Sequence, residues 1–281
     1  MKKLLNYLLL LTFLFFSRDF YINNENHKNI GINLAYYQNR KFNQEDKEFI
    51  KYLANIGIKN VAIHWTFYQD SLNSNYIYAH KYKTMNFEFV DSLIKELRKY
   101  NMKIILKPAI DVLTEESRTK IMPKSIDEWF KNYENLMIEL AKYAEKNKIE
   151  IFSVGVELDE IVKHHREKFY DLVKKIREFY NGKIIYCANI IRKKDLENFL
   201  IFDIPAIDAY FKNNDYDSLR FYFSILPCST IITEFGFKDN QEKKFKNFIK
   251  ALRSSKKIKE AYIWNTGEFK VIDKNKNLIK F

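Results

Sequence analysis

The feature of this chain that most constrains its fold is a repeated alternation of short apolar β-strand sequences with amphipathic helical ones. Eight segments rich in Ile, Val, Phe and Tyr are separated by seven segments whose apolar residues follow a helical spacing. Strands this apolar are expected where helices cover a parallel sheet. Because crossover connections are right-handed, such strands stack in one direction and close economically into a barrel. We therefore predict an α/β fold, a single-domain (β/α)₈ TIM barrel.

The predicted strands and helices alternate from residue 29 onwards. The strands span 30–37, 59–65, 103–108, 151–159, 183–189, 206–211, 231–236 and 260–265. The helices span 45–56, 87–100, 126–147, 168–180, 195–200, 217–223 and 241–253, and Asn43 is in an N-cap position before the first. Residues 270–281 have the pattern of a strand or hairpin tail, so we expect the eighth helix to be absent or replaced by that tail. A doubly wound open sheet is the structural alternative, but no glycine-rich phosphate turn follows the first strand.

The first residues indicate export rather than folding. Met1, Lys2 and Lys3 form a positive region, and an apolar run of 13 residues, 4–16, follows it. That run is shorter than the ~20 residues of a membrane span and matches the apolar region of a signal peptide. We expect residues 1–28 to be a signal peptide or an uncleaved signal anchor, and residues 29–281 to be the barrel. The protein would then be secreted or membrane-anchored, with the barrel outside the cytoplasm and no other membrane contact.

Charge and cysteine content exclude several classes of partner. The net charge of +12 would suit a polyanion, but lysines interleave with acidic residues, as in residues 142–146, which is typical of a solvated surface. Nucleic-acid binding is therefore our third hypothesis, and we expect no nucleic acid and a monomer.

Cys187 and Cys228 are too few for a metal site or disulfide framework; two buried thiols or one disulfide stay open. We expect His164 and His165 to begin a solvated helix, and we expect no metal and no cofactor.

The residues suited to chemistry lie where the predicted strands end, which is where barrels of this class place their active sites. Aromatic rings stack on the C–H faces of sugars while carboxylates, amides and Lys bind hydroxyls, so this set predicts a sugar site. His64 is included, although a barrel histidine with satisfied hydrogen bonds is the commoner role. Lys107 precedes Pro108 and needs a partner, for which Asp111 or a sugar hydroxyl would serve. The full set is Tyr36, Tyr37, His64, Trp65, Lys107, Asp111, Glu157, Asn189, Asp208, Tyr210, Glu234, Trp264 and Asn265.

Two carboxylates stand out because each ends an apolar strand, the fourth and the seventh. Glu157 follows Val154-Gly155-Val156, and Glu234 follows Ile231-Ile232-Thr233. Since side chains alternate along a strand, we expect Ser153 and Gly155 to share the inward face of Glu157. The same parity predicts that Thr230 and Ile232 share the face of Glu234.

The order of these motifs resembles the large clan of retaining (β/α)₈ glycoside hydrolases. Four short motifs look most like glycoside hydrolase family 113, a group of endo-β-mannanases: Val154–Leu158, Leu106–Pro108 with Asp111, Thr233–Gly236 and Trp264–Thr266. The resemblance implies double displacement, with Glu234 as nucleophile and Glu157 as acid and base. Tyr210 would then bind the nucleophile and Trp264 would form the floor of the sugar subsite.

One departure from the clan narrows the assignment. Many members carry Asn immediately before the acid/base residue, but this chain has Val156 there, and family 113 is similar in lacking that Asn. The leading hypothesis is a retaining glycosidase acting on a β-linked polysaccharide or oligosaccharide, β-mannan above others. A non-catalytic carbohydrate-binding barrel at the cell surface is the second, because fold does not fix function.

Overall fold

Eight parallel strands close into a barrel in chain order, which confirms the predicted fold. The computed structural model describes residues 30–189, 201–211, 213–227, 229–237 and 241–264. Each strand pairs with the next, and the last pairs with the first. Within those ranges the strands are β1 (Ile30–Ala35), β2 (Asn60–Gln69), β3 (Lys103–Val112), β4 (Ile151–Val156), β5 (Lys183–Asn189), β6 (Ala206–Asp208), β7 (Thr230–Phe235) and β8 (Ile258–Trp264).

Helices cover the outside of this barrel. The described ranges contain α1 (Gln44–Asn55), α2 (Phe87–Lys99), α3 (Ile126–Lys146), α4 (Asp159–Arg177), α5 (Tyr216–Ile225), α6 (Gln241–Ser254) and a 3₁₀ turn at Arg118–Lys120. None of these helices is long and apolar enough to cross a membrane. The predicted export segment 1–28, the predicted helix 195–200 and the predicted tail 270–281 lie outside the described residues.

The first helix begins as its sequence predicts. The side chain of Asn43 accepts a hydrogen bond from the backbone N–H of Asp46, whose carboxylate accepts one from the backbone of Asn43 in return. This reciprocal pair satisfies two of the N–H groups that a helix start leaves open. Ile50 and Leu53 then face the core.

Helix α4 begins earlier than predicted. Its polar first half lacks an apolar period, so the prediction began at Lys168, but the helix runs from Asp159. His164 and His165 therefore lie inside it, not at its start, and His165 has a non-helical backbone (φ −139°) that kinks the helix.

Strands β2 and β3 extend well beyond their predicted ends. They pair over ten residues each, as far as Gln69 and Val112. The prediction ended β3 at Pro108 because proline lacks the N–H that a strand interior uses. That loss is tolerated because β3 pairs with β4 only at Ile105 and Leu106, so Pro108 lies where β3 has a partner on one side alone. The two strands form a ribbon that rises above the rest of the barrel.

The core has two layers, one inside the barrel and one between strands and helices. The inner layer contains small and branched side chains with one aromatic residue, Tyr262. Gly31 on β1 allows that ring to fit, since a Cβ there would lie 2.5 Å from it. The outer layer is larger and contains most of the buried aromatic side chains.

An irregularity in β4 corrects the predicted parity of Glu157. Ser153 lies opposite Ile185 of β5 and Val156 opposite Cys187, so β4 has one residue more than β5 between these pairs. Such a bulge reverses the alternation of side chains beyond it. Gly155 therefore does not face the barrel interior, because a Cβ on it would lie 2.8 Å from the ring of Tyr186, in the outer layer.

Strand β7 has the same kind of irregularity. Ile207 of β6 lies opposite Ile232 and Asp208 opposite Glu234, so β7 contains one extra residue between these pairs. Ile232 packs in the outer layer of the core. The prediction that Ile232 shares the face of Glu234 is therefore wrong, and the extra residue is what sets Glu234 beside Asp208.

Candidate active site

The side chains that can do chemistry meet at the carboxyl end of the barrel, where β4 delivers Glu157. Glu157 directly follows β4, and its backbone N–H donates to the carbonyl of Cys187 at 2.8 Å. Its φ is +52°, in the left-handed region that non-glycine residues rarely adopt. Such a conformation costs about 1–3 kcal/mol and is found where the surrounding structure imposes it, often at functional sites.

Glu234 is buried in β7 and is held by two donors. The Lys107 ammonium donates to Oε1 in a very short contact, and the Tyr210 hydroxyl donates to Oε2 at 2.7 Å. Both carboxylate oxygens are therefore occupied, and the side chain is only 5% exposed. Charge-assisted hydrogen bonds of this kind are strong and fix the orientation of a carboxylate.

Lys107 does not pair with Asp111, and this corrects the prediction. Its ammonium also donates to Asp208, at 3.0 Å and 3.2 Å from the two oxygens, and both residues are fully buried. Burial lowers the pKa of Lys107, but the charges of Asp208 and Glu234 outweigh that effect and raise it, so the ammonium stays charged. The Thr233 hydroxyl donates to Asp208 at 2.6 Å.

The charge of Glu157 is controlled differently from that of Glu234. Burial raises the pKa of Glu157, and the nearby charge of Glu234 raises it further, while Arg118 and Lys107 lower it. The result is a pKa of about 7. The two glutamates are thus close enough for the charge of Glu234 to act on Glu157, yet their surroundings differ, since of the two it is Glu234 that accepts hydrogen bonds from Lys107 and Tyr210.

Arg118 is a site residue that the sequence did not indicate. It lies in the 3₁₀ turn after β3, and its guanidinium binds Asp111 at 2.6 Å. Burial lowers its pKa, but the carboxylates of Asp111, Glu157 and Glu234 more than offset this and hold it charged. A single arginine in a polar loop is not part of a periodic sequence pattern. It can be recognised as a site residue only from the side chains that surround it in the folded protein.

An aromatic group completes the mouth of the site. The ring of His64 lies edge-on to Trp264, with centroids 4.9 Å apart, and 6.3 Å from the ring of Tyr37. His64 Nδ1 is 3.7 Å from Glu234 Oε1. Burial, with the charges of Arg118 and Lys107, lowers the pKa of His64 well below its usual value, so the ring is neutral. Neither ring nitrogen has a hydrogen-bond partner in the described part of the chain, so His64 is not a satisfied barrel histidine.

Two predicted sugar-binding aromatic residues lie elsewhere, because strand alternation directs them outward. Trp65 is buried in the outer layer, and its indole N–H donates to the carbonyl of Met85 at 2.8 Å. Tyr36 packs edge-on to Phe89 of α2, with ring centroids 5.0 Å apart. Each is one residue from the side chain that does face the site, His64 and Tyr37.

The remaining predicted residues have varied positions. Asn189 ends β5 and donates to Asp159 at 3.4 Å, while Asn265 and Cys228 lie outside the described residues. Cys187 is a buried free thiol beside Ser153, and burial raises its pKa to about 12. Within the ranges described, no group of three or more His, Cys, Asp or Glu residues could hold a metal ion.

The Lys107 cluster makes a testable prediction about stability. Lys107→Met leaves two buried carboxylates without their ammonium, so we expect the free energy of unfolding to fall by about 3–5 kcal/mol. Urea denaturation measures the change. Lys99→Met, which removes an ammonium that is 56% exposed and paired with Glu96, should cost about 1 kcal/mol or less. Adding Asp208→Asn to Lys107→Met should recover part of the loss, and a strictly additive double variant would contradict this account.

Several solved structures share the fold of this barrel. A β-1,4-mannanase of glycoside hydrolase family 113, solved as a complex, has 19% identity and a TM-score of 0.75 over 85% of this chain and 88% of that one. The family 113 β-mannanase of Alicyclobacillus acidocaldarius has 16% identity and a TM-score of 0.75, over 85% and 87%. A β-glucuronidase from Ruminococcus gnavus has 11% identity and a TM-score of 0.62, over 89% and 47%. At these identities the likeness shows the fold.

The family assignment comes from the sequence as a whole. A search among curated proteins finds no match. The model of glycoside hydrolase family 113 matches residues 35–224, which is more than half of the chain and includes β2, β3, β4 and the acidic residue that follows β4. The chain therefore belongs to glycoside hydrolase family 113 and is a glycoside hydrolase by descent.

Proposed function

We propose that this protein is a retaining β-glycosidase that cleaves within a β-linked polysaccharide, β-mannan above other glycans. The main support for the proposal is that two neighbouring carboxyl groups have different surroundings. Glu234 accepts hydrogen bonds from Lys107 and Tyr210, whereas burial and the charge of Glu234 raise the pKa of Glu157 to about 7. A carboxyl whose pKa is raised by burial beside a second carboxylate is typical of the acid in a pair of catalytic carboxylates. The mannan substrate rests on the family 113 β-mannanases among its structural neighbours.

In the first step Glu234 acts as the nucleophile. One carboxylate oxygen attacks the anomeric carbon and forms a glycosyl ester, while the bond from that carbon to the glycosidic oxygen breaks. Protonated Glu157 gives its proton to that oxygen, so the leaving sugar departs as an alcohol and Glu157 becomes a carboxylate. Lys107 and Tyr210 are positioning residues here, since they hold the attacking carboxylate in one orientation.

In the second step water replaces the enzyme on the sugar. Glu157, now ionised, takes a proton from the attacking water as the new bond forms and the ester bond to Glu234 breaks. The anomeric configuration is thereby inverted twice and retained. Trp264, held edge-on by His64, would contact the C–H face of the sugar in the reacting subsite. A non-catalytic sugar-binding barrel has no use for a carboxyl poised near neutrality, so we favour the enzyme.

We also propose that the barrel acts outside the cytoplasm. The support is the positive and apolar order of residues 1–16, which suits a signal peptide or anchor. Protein mass spectrometry of medium, membrane and cytosol from the producing cells tests this proposal. Recovery of the protein in the cytosol alone would contradict it.

The two glutamates can be tested separately. We expect Glu157→Gln and Glu234→Gln each to lower kcat on β-1,4-manno-oligosaccharides by about 10²- to 10⁴-fold. An aryl mannoside with a good leaving group needs no proton, so it should restore the glycosyl-transfer step in Glu157→Gln and not in Glu234→Gln. Glu167→Gln, at a glutamate with a 66% exposed side chain, is the control and should keep full activity. Full activity in either catalytic variant, or product of the opposite anomeric form by NMR, contradicts the proposal.

The pH dependence follows from the state of Glu157. Because the acid must be protonated and its pKa is raised to about 7, kcat/KM should fall as the pH rises through about 7. Arg118 lowers the pKa of Glu157, so Arg118→Met should move this alkaline limb to higher pH. Lys163→Met, at a lysine that is 61% exposed, should leave the limb in place. A limb that stays fixed or moves to lower pH in Arg118→Met would refute the assignment.

A further inference from the structure

The loop between β2 and α2 exposes large aromatic side chains that the catalytic mechanism does not use. Within residues 70–86, Tyr76 is 66% exposed, Tyr78 37% and Tyr82 69%. Large apolar groups left in water on one side of a molecule are typical of binding surfaces.

The rings of this region form a connected row. His80 lies 5.6 Å from Tyr68, 6.4 Å from Tyr78 and 6.2 Å from Tyr82, measured between ring centroids, and it stacks with Tyr78 at an interplanar angle of 29°. We name Tyr68, Tyr78, His80 and Tyr82 the aromatic strip. Its members are joined by the backbone too, since Tyr68 and Tyr78 exchange two hydrogen bonds of 2.9 Å.

The aromatic strip begins at the catalytic mouth. Tyr68 lies opposite Asp111 in the register of β2 with β3. Burial raises the pKa of Tyr68 to about 12, with the charge of Asp111 acting in the same direction. Asp111 in turn binds Arg118 of the active site at 2.6 Å. The buried ring of Tyr68 therefore anchors the strip beside the active site, and the exposed rings of Tyr78 and Tyr82 extend from it.

The loop that carries the strip is held on two sides. The backbone N–H of Asn39, after β1, donates to the carbonyl of Tyr82 at 2.8 Å, and the N–H of Met122, before α3, donates to the carbonyl of Leu72 at 2.9 Å. A surface fixed in this way loses little conformational entropy when it binds a ligand.

We propose that the aromatic strip, through its exposed rings Tyr78 and Tyr82, binds the sugar residues of an extended β-linked glycan beyond the residue held between Glu157 and Glu234. This inference rests on the proposed function and makes a long chain, not a short oligosaccharide, the substrate. Sugars present apolar C–H faces to aromatic rings and hydroxyls to polar groups at their edges. The strip has such groups, because the Tyr78 hydroxyl donates to Asp70 at 2.5 Å and Lys83 lies over the ring of Tyr68.

The test compares ring removal with ring retention in the full chain. The double variant Tyr78→Ala/Tyr82→Ala removes two rings, Tyr78→Phe/Tyr82→Phe keeps them, and Phe221→Ala removes an aromatic side chain on α5 that is 69% exposed. For β-1,4-mannohexaose we expect kcat/KM of the Ala variant to fall by about fivefold or more. The Phe variant and the control should stay within about twofold, and a short aryl mannoside should be cleaved equally by all. Equal kcat/KM values on the hexasaccharide, or an equal loss on both substrates, would overturn the proposal.

A binding measurement separates this inference from the proposed function. Affinity electrophoresis in soluble β-mannan, mixed-linkage β-glucan and xylan, with Glu234→Gln added to each protein, measures retention without turnover. If the wild-type chain cleaves no glycan but the Ala variant is retained less than the Phe variant in one of these gels, the strip proposal stands and the activity proposal fails. If all variants are retained equally, or none is retained, the strip proposal fails.

Discussion

The buried ammonium of Lys107 is the charge on which the rest of the site depends. It stands on β3 and reaches Asp208 on β6 and Glu234 on β7, so it joins strands from different sides of the barrel. Burial and the charge of Glu234 raise the pKa of Asp208 to about 8, and the ammonium of Lys107 acts against that rise, because an isolated buried charge is far more costly than a neutral acid. Closing the barrel therefore brings the cation to the carboxylates, and the carboxylates are what keep that cation charged. The same contacts therefore join the strands of the barrel and keep Lys107 charged.

Features of the fold and site that depend on neighbouring residues could be predicted from the sequence, whereas features that depend on contacts between distant residues could not. Element order, the Asn43 cap and the two strand-end glutamates follow from local periodicity and were predictable. The bulges in β4 and β7 were not, because one extra residue shows only against the neighbouring strand. Gly155 and Ile232 were consequently assigned to the wrong face. The partners of Lys107 lie 101 and 127 residues away in sequence, so no local pattern could select Asp208 over Asp111.

The irregularities in β4 and β7 each lie beside a carboxylate that we propose to react, and this has a physical reason. A regular strand ends with its side chains alternating between the interior and the helices, at positions fixed by the pleat. A bulge re-aims the last side chain without moving the strand, which is why bulges occur beside active sites. In β4 the chain then enters the left-handed region at Glu157, and in β7 the extra residue sets Glu234 opposite Asp208. The same device places the proposed acid and the proposed nucleophile around one pair of cations, Lys107 and Arg118.

The long ribbon of β2 and β3 extends the site beyond the two glutamates. Tyr68 and Asp111 lie opposite each other near its end, so the ribbon carries the first ring of the aromatic strip on one strand and the anchor of Arg118 on the other. Arg118 lowers the pKa of Glu157, against burial and the charge of Glu234. A glycan chain lying along the strip would therefore extend away from the group that tunes the proposed acid.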